Sequence, residues 1–218
     1  MPGRTGSSFL VSSLSKHPHV VVEGERLVQI ETADAQAEWI ESFYSRRRFR
    51  VRACGFKSKL KDFRDQEGLR NVLQQNDVKV IQMLRQDPLR RAISTINARR
   101  LKKVHGVWNR LKGMPDLEPL LIDLDELDAV LEFVESSAAE LSAFVNSLDL
   151  AKMTMQYEDL LANPVRELGR VQNFIGVEER SLEGDTAKST PDRLELAISN
   201  YEEFVYRYRG SKYEQYLD

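Results

Sequence analysis

Val78-Lys79-Val80-Ile81-Gln82-Met83-Leu84 runs directly into Arg85-Gln86-Asp87-Pro88. The first seven residues are β-branched and apolar enough to predict a buried strand. Pro88 predicts the first turn of a helix, where its fixed φ is useful and its missing N–H is not needed; the helix is expected to reach about Trp108. The same strand-then-helix rhythm continues on both sides. Toward the N-terminus, Asp65–Asn76 reads as a helix with Leu69, Val72 and Leu73 inside, Val51–Lys57 as a strand, and Thr32–Arg48 as a helix with Ala33, Ala37, Ile40 and Tyr44 on one face. Val20-Val21-Val22 reads as a short buried strand, and Phe9, Leu10 and Leu14 recur at helical spacing until His17-Pro18. Toward the C-terminus, apolar residues from Leu124 to Leu148 recur at steps of three and four, which predicts one long amphipathic helix. Lys152–Gln156 reads as a strand and Pro164 opens a helix closed by Gly176. A polar loop, Glu178–Thr190, leads to a last helix through Phe204. Strands alternating with helices predict an α/β fold with a mainly parallel sheet, and no repeat or long linker divides residues 1–218 into more than one domain.

Composition narrows the function classes. The 218 residues hold 32 Lys+Arg against 34 Asp+Glu, a formal net charge of −2, which argues against a general nucleic-acid binder. With 41% hydrophobic residues and only 11 Gly and 7 Pro, the chain is neither disordered nor of low complexity. Cys54 is the single cysteine, so no intramolecular disulfide can form. No apolar run is long enough to cross a membrane, and no signal peptide is visible after Met1-Pro2-Gly3-Arg4, so a cytoplasmic location is expected. His17, His19 and His105 offer one close pair and no suitable cysteine partners, so no metal site is expected.

In parallel α/β folds ligands bind beyond the carboxyl ends of the strands, which directs attention to the loops after Val22, Lys57, Leu84 and Gln156. The segment Gly3-Arg4-Thr5-Gly6-Ser7-Ser8 combines a close-approach glycine, three hydroxyls and a forked cation just before a helix N-terminus, an arrangement suited to an anion. An ordinary capping turn has the same composition. The Walker A pattern is absent, which disfavours a plain ATPase. Arg85 at a strand end and Ser94 two turns into the next helix are suited to a second phosphate; a surface ion pair and a spacer are the plainer alternative.

Taken together, three segments resemble the sulfotransferases that use 3′-phosphoadenosine-5′-phosphosulfate (PAPS). Pro2-Gly3-Arg4-Thr5-Gly6-Ser7-Ser8-Phe9-Leu10 resembles their 5′-phosphosulfate loop, and Val80 to Ser94 resembles their 3′-phosphate segment. Tyr157-Glu158-Asp159-Leu160-Leu161-Ala162-Asn163-Pro164, continuing to Phe174–Val177, is similar to a helix entry of the family. The run His17–Leu27, with Gly55-Phe56-Lys57 and Asn200-Tyr201, is most similar to bacterial carbohydrate-modifying members, such as nodulation-factor, trehalose and N-acetylglucosamine 6-O-sulfotransferases. The resemblance implies a P-loop-like three-layer sandwich with a central parallel sheet flanked by helices. It implies that Arg4, Thr5, Gly6, Ser7 and Ser8 hold the 5′-phosphosulfate, that Arg85 and Ser94 hold the 3′-phosphate, and that Tyr157 borders the adenine. Glu25 is the implied general base toward an acceptor hydroxyl of a carbohydrate or glycolipid, with Glu23 as the fallback. Side chains alternate in an extended segment, so Glu23 and Glu25 are expected to point the same way. Lys57, at a strand end, meets substrate or sulfate, or is a surface lysine. The mechanism needs no metal, and adenosine 3′,5′-bisphosphate (PAP) is the product of the donor.

Two departures accompany the resemblance. Relatives carry a hydrophobic strand immediately ahead of the loop, whereas this sequence opens at Met1-Pro2, so the first strand is expected to be missing, with unpaired backbone and a gap in the core as the consequence. Many relatives place the 3′-phosphate arginine where Gln86 stands, so Arg85 takes the role, or Arg90 or Arg91 assists. The basic run Arg46–Arg52 reads as a solvated helix end in preference to a nucleic-acid or anionic-glycan surface, and Tyr201, Tyr206, Tyr208, Tyr213 and Tyr216 as packing residues. Acidic Asp123–Glu140 reads as an amphipathic surface helix. Two alternatives to a sulfotransferase stand: a non-catalytic relative that binds PAP or a protein partner, and a P-loop-like kinase or nucleotidase.

Overall fold

The computed structural model describes residues 3–46, 49–115, 117–188, 190–191 and 193–217. Met1 and Pro2, ahead of the glycine loop, and Arg47 and Arg48, within the basic run, lie outside the described residues. The chain divides into two compact units, one built from Met1–Leu84 and Ala138–Gly184, the other from Arg85–Ser137 and Asp185–Asp218.

The first unit follows the expected rhythm. It begins with α1 (Ser7–Leu14), β1 (Val20–Glu23), α2 (Ala33–Ser45), β2 (Ala53–Phe56), α3 (Gln66–Gln75) and β3 (Val80–Leu84). After α4 (Pro88–His105) and the first part of α5 (Leu124–Asn146), the chain adds β4 (Lys152–Gln156), α6 (Tyr157–Ala162) and α7 (Pro164–Ile175). Capping chemistry sets the ends. Thr32, Asp65 and Asn163 each accept a backbone N–H from the first turn of α2, α3 and α7, respectively. Gly176 closes α7 at φ 82°, a conformation that costs a side-chain-bearing residue more. The expectation that α2 runs to Arg48 is too long: helical geometry stops at Ser45 and Arg46 is already extended.

Among the described residues both pairings between strands are parallel, as expected, but the sheet is in two pieces. β1 pairs with β2, with Val20 opposite Ala53 and Glu23 opposite Phe56. β3 pairs with β4, with Val80 opposite Lys152 and Leu84 opposite Gln156. Among the described residues β2 and β3 do not pair with each other. A cavity of about 420 Å³ adjoins both, lined by consecutive residues Ala53–Phe56 of β2 and by Val80, Ile81 and Gln82 of β3, with Leu10 and Leu141 also at its wall. Alternate residues lining a cavity would mean that a strand shows it a face; consecutive residues mean that it shows an edge. Leu10, Leu14, Met83, Met155, Leu168 and Val171 form one buried cluster. A second joins Leu27, Ile40, Leu69, Val72 and Leu73, flanked by the Trp39, Phe43 and Phe56 rings.

The second unit is helical. Its core joins Leu89, Ile93 and Ile96 of α4 to Leu127, Leu131 and Val134 of α5 and to Phe204 and Tyr208 of α8 (Tyr201–Tyr208). The last helix therefore extends one turn beyond the expected Phe204. Two of the terminal tyrosines use their hydroxyls as packing residues do: Tyr201 donates to Leu217 O at 2.8 Å and Tyr208 to Asp128 Oδ1 at 2.7 Å. Tyr206 is exposed. α4 starts at Pro88 with Asp87 as its cap, and ends at His105, three residues short of the expected Trp108, with Gly106 at φ 73° as its C-cap.

Candidate active site

In the first unit, the backbone of Gly3–Ser8 is bent twice into the left-handed region, at Arg4 (φ 67°) and at Gly6 (φ 77°). That conformation is strained for arginine and ordinary for glycine, and such strain concentrates at functional loops. A Cβ at Gly6 would stand 3.0 Å from the Tyr157 ring, so the position also needs glycine for space. Thr5 and Ser7 are buried, and Ser7 begins the helix that Leu10 and Leu14 anchor in the core. Whereas α2, α3, α4 and α7 have a side-chain oxygen capping their first turn, α1 has Gly6 at that place and no side-chain cap. A helix N-terminus entered through glycine lets an anion approach the backbone closely.

The carboxyl ends of β1 and β2 bring a charged group to this loop. Lys57, directly after β2, lies 3.2 Å from Ser8 Oγ and 2.9 Å from Glu25 Oε1. Lys59 reaches Glu25 Oε2 at 2.5 Å. Burial pushes the Glu25 carboxyl up, but the hydrogen bonds and charges of Lys59 and Lys57 outweigh it and hold the group below its ordinary value of 4.5. Glu25 is therefore a carboxylate at neutral pH. Glu23 is exposed at the end of β1.

The expectation that Glu23 and Glu25 share a direction needs correction in its premise. Extended geometry ends at Glu23. Arg26 N–H donates to Gly24 O at 2.8 Å across Glu25, whose φ −77° and ψ 62° make it the centre of an inverse γ-turn. Alternation of side chains does not apply through a turn. Lys59 was not singled out by the sequence reading. Its signal lies in the register: Glu23 opposite Phe56 puts the residues after β1 beside those after β2, and that pairing is not written in either segment alone.

The structure thus brings Ser8, Lys57 and Glu25 together, with Tyr157 against Gly6. Arg4 and Thr5 sit within the same loop. Arg85 and Ser94 belong to the second unit. There Ser94 is buried, and Gln86 is exposed. Arg90 is committed to Asp87, with Nε 3.0 Å from Oδ2. Arg91 is buried and donates to Val134 O at 2.6 Å and Ser137 Oγ at 3.0 Å. Desolvation, with a contribution from the Arg85 charge, pulls its guanidinium down to about 10. Two guanidiniums that disfavour each other are an electrostatic setting an anion would relieve.

Among the described residues no group of His, Cys, Asp and Glu could hold a metal ion, and no helix is long and apolar enough to cross a membrane. His17 is tied into the fold: its Nδ1 accepts from His19 N–H at 3.1 Å, so Nε2 carries the proton and donates to Glu178 O at 3.0 Å.

Comparison with known proteins bears on the family and the fold. A search of curated proteins found no match. Among solved structures, the crystal structure of a sulfotransferase from Alicyclobacillus acidocaldarius is similar, with a TM-score of 0.55 at 14% identity over 94% of this chain and 87% of that one. At that identity the likeness concerns the fold, α/β with parallel strands flanked by helices. The family described as the sulfotransferase domain matches residues 2–203, nearly the whole sequence, from the glycine loop to α8. The chain belongs to the sulfotransferase domain family.

Proposed function

We propose that this sulfotransferase takes PAPS as donor and a hydroxyl of a carbohydrate or glycolipid as acceptor, and that residues 1–218 act as one catalytic domain. The observation that carries the reading is the contact of Lys57 with both Ser8 of the loop and the Glu25 carboxylate. It sets a cation and an ionised base beside a loop suited to an anion. The residues fit the donor: Gly6 keeps the loop backbone close against the Tyr157 ring, where a Cβ would stand at 3.0 Å, and Gly6, which has no side chain, is the N-cap of α1.

The donor supplies a sulfuryl group for in-line transfer from its phosphate to the acceptor oxygen. Arg4, Thr5, Gly6, Ser7 and Ser8 are proposed to bind the 5′-phosphosulfate and stabilise charge on the leaving phosphate. Lys57 adds a cation at the same loop, and Tyr157 borders the adenine. Arg85 and Ser94 bind the 3′-phosphate, helped by the positive setting that Arg85 shares with Arg91. Glu25 accepts the acceptor's proton. The acceptor class rests on the resemblance of His17–Leu27 to carbohydrate-modifying members. A cytoplasmic location is part of the same proposal.

Turnover of [35S]PAPS against trehalose and chito-oligosaccharides tests the reading. Labelled sugar is the expected result. Saturable PAP binding without turnover on any hydroxyl acceptor would mark a non-catalytic relative, and preference for ATP with magnesium would mark a kinase. Arg4→Ala tests the loop separately. Losing one charge-assisted hydrogen-bonding group is expected to weaken PAP binding about 10- to 100-fold in calorimetry. Unchanged affinity in a folded variant would remove the loop assignment.

A further inference from the structure

Glu25 is held at both carboxylate oxygens, and the two anchors differ. Lys57 is shared between Oε1 and Ser8 of the loop. Lys59 is set by its own scaffold. Its backbone N–H donates to Asp62 Oδ2 at 3.2 Å, at the entry of a 3₁₀ turn, Leu60–Asp62. The backbone oxygen of Asp62 accepts from Gln36 Nε2 at 2.8 Å, and the same amide nitrogen donates to Leu27 O at 2.9 Å. Leu27 lies in the 3₁₀ turn Arg26–Gln29, whose N-cap is Glu25. Gln36 is 3% exposed, and its Oε1 accepts from Arg64 N–H at 3.0 Å. One buried amide thus ties together the turn that carries Glu25 and the turn that follows Lys59. Breaking either bond would leave a buried polar group unsatisfied, so the spacing of the two turns that carry Glu25 and follow Lys59 is held from beneath.

We propose that Lys59 is a positioning residue for Glu25, fixing its Oε2 so that the carboxylate keeps one orientation toward the acceptor hydroxyl; this rests on reading Glu25 as the base. A carboxylate offers about four lone-pair sites. The two ammonium groups occupy one on each oxygen and leave the remainder for the acceptor. Lys57 meets Oε1 and Ser8, and Oε2 is held by Lys59. The charged groups facing Glu25 are Lys57 and Lys59, both after β2; Arg26, beside Glu25, is bonded to Gln29 at 2.7 Å.

Lys59→Met keeps the stem and removes the charge; Lys59→Arg keeps the charge. The backbone bond to Asp62 is untouched by either. Removing a cation that favours the carboxylate raises the Glu25 pKa, so the acidic limb of the kcat profile moves toward neutral pH. In Lys59→Met the expected result is that shift, a kcat lower by about 10-fold from loss of orientation, and an unchanged KM for PAPS. Lys59→Arg restores both. Carboxyl ¹³C NMR of Glu25, assigned with Glu25→Gln, is expected to show the same upward titration shift without any turnover. If Glu25→Gln is inactive while Lys59→Met keeps the wild-type kcat, limb and titration, Lys59 has no such role. If Glu25→Gln is fully active, the base assignment has failed, and the positioning role falls with it.

Discussion

Glu25→Gln is expected to lower kcat by about 10²- to 10⁴-fold, the usual contribution of a positioned base, while PAP binds with unchanged affinity. The argument runs from geometry. Glu25 ends one side of a chain of polar contacts, Ser8 to Lys57 to Glu25, that starts at the anion-suited loop. Glutamine matches glutamate in shape but cannot take a proton at neutral pH. It also turns an amide N–H₂ toward one of the two lysines, so one anchor becomes a donor facing a donor. Both effects fall on kcat, because neither Lys57 nor Ser8 is altered. Retained turnover would mean that the proton goes elsewhere, with exposed Glu23 the first carboxylate to test.

The second large effect concerns stability. Phe204→Ala is expected to destabilise the protein by about 3–5 kcal/mol, the range for emptying a buried aromatic site. Phe204 is fully buried, its ring 5.9 Å from Tyr201 and 5.2 Å from Tyr208 between centroids, in the cluster with Leu127, Leu131 and Ile198. Collapse around the cavity is resisted on one side by Tyr208, whose hydroxyl is bonded to Asp128, itself bonded to Arg207. Phe204→Leu, which keeps most of the volume, is expected to cost under about 1.5 kcal/mol. Urea denaturation of both variants checks the pair; equal, small effects would mean that α8 contributes little to the core.

What the sequence made legible is local. Proline at the start of α4 and α7 and Gly176 as a stop are chemical signals confined to single residues, and they place those three ends closely; Thr32 and Asp65, read as first helical residues, are the caps one residue ahead of α2 and α3. Lys152–Gln156 is a strand at the residues its pattern indicates. Long-range facts were not legible. No residue of β2 or β3 announces that these strands show their edges to a cavity, because pairing is a property of two segments and of what lies between them. The short helix α6 has too few turns to develop a period. At the site, the glycine loop could be read from composition, and Glu25 and Lys57 from resemblance. The turn at Gly24–Arg26 and the contact of Lys59 with Glu25 emerge only from the fold, through strand register and the buried amide of Gln36.

The central claim is that the loop before α1 serves an adenosine bisphosphate sulfuryl donor. Calorimetric titration of the purified 218-residue chain with PAP, with ATP as control, tests it most directly. The account predicts saturable binding of one PAP per chain and much weaker binding of ATP. A folded sample that binds no PAP, or that prefers ATP, would contradict it.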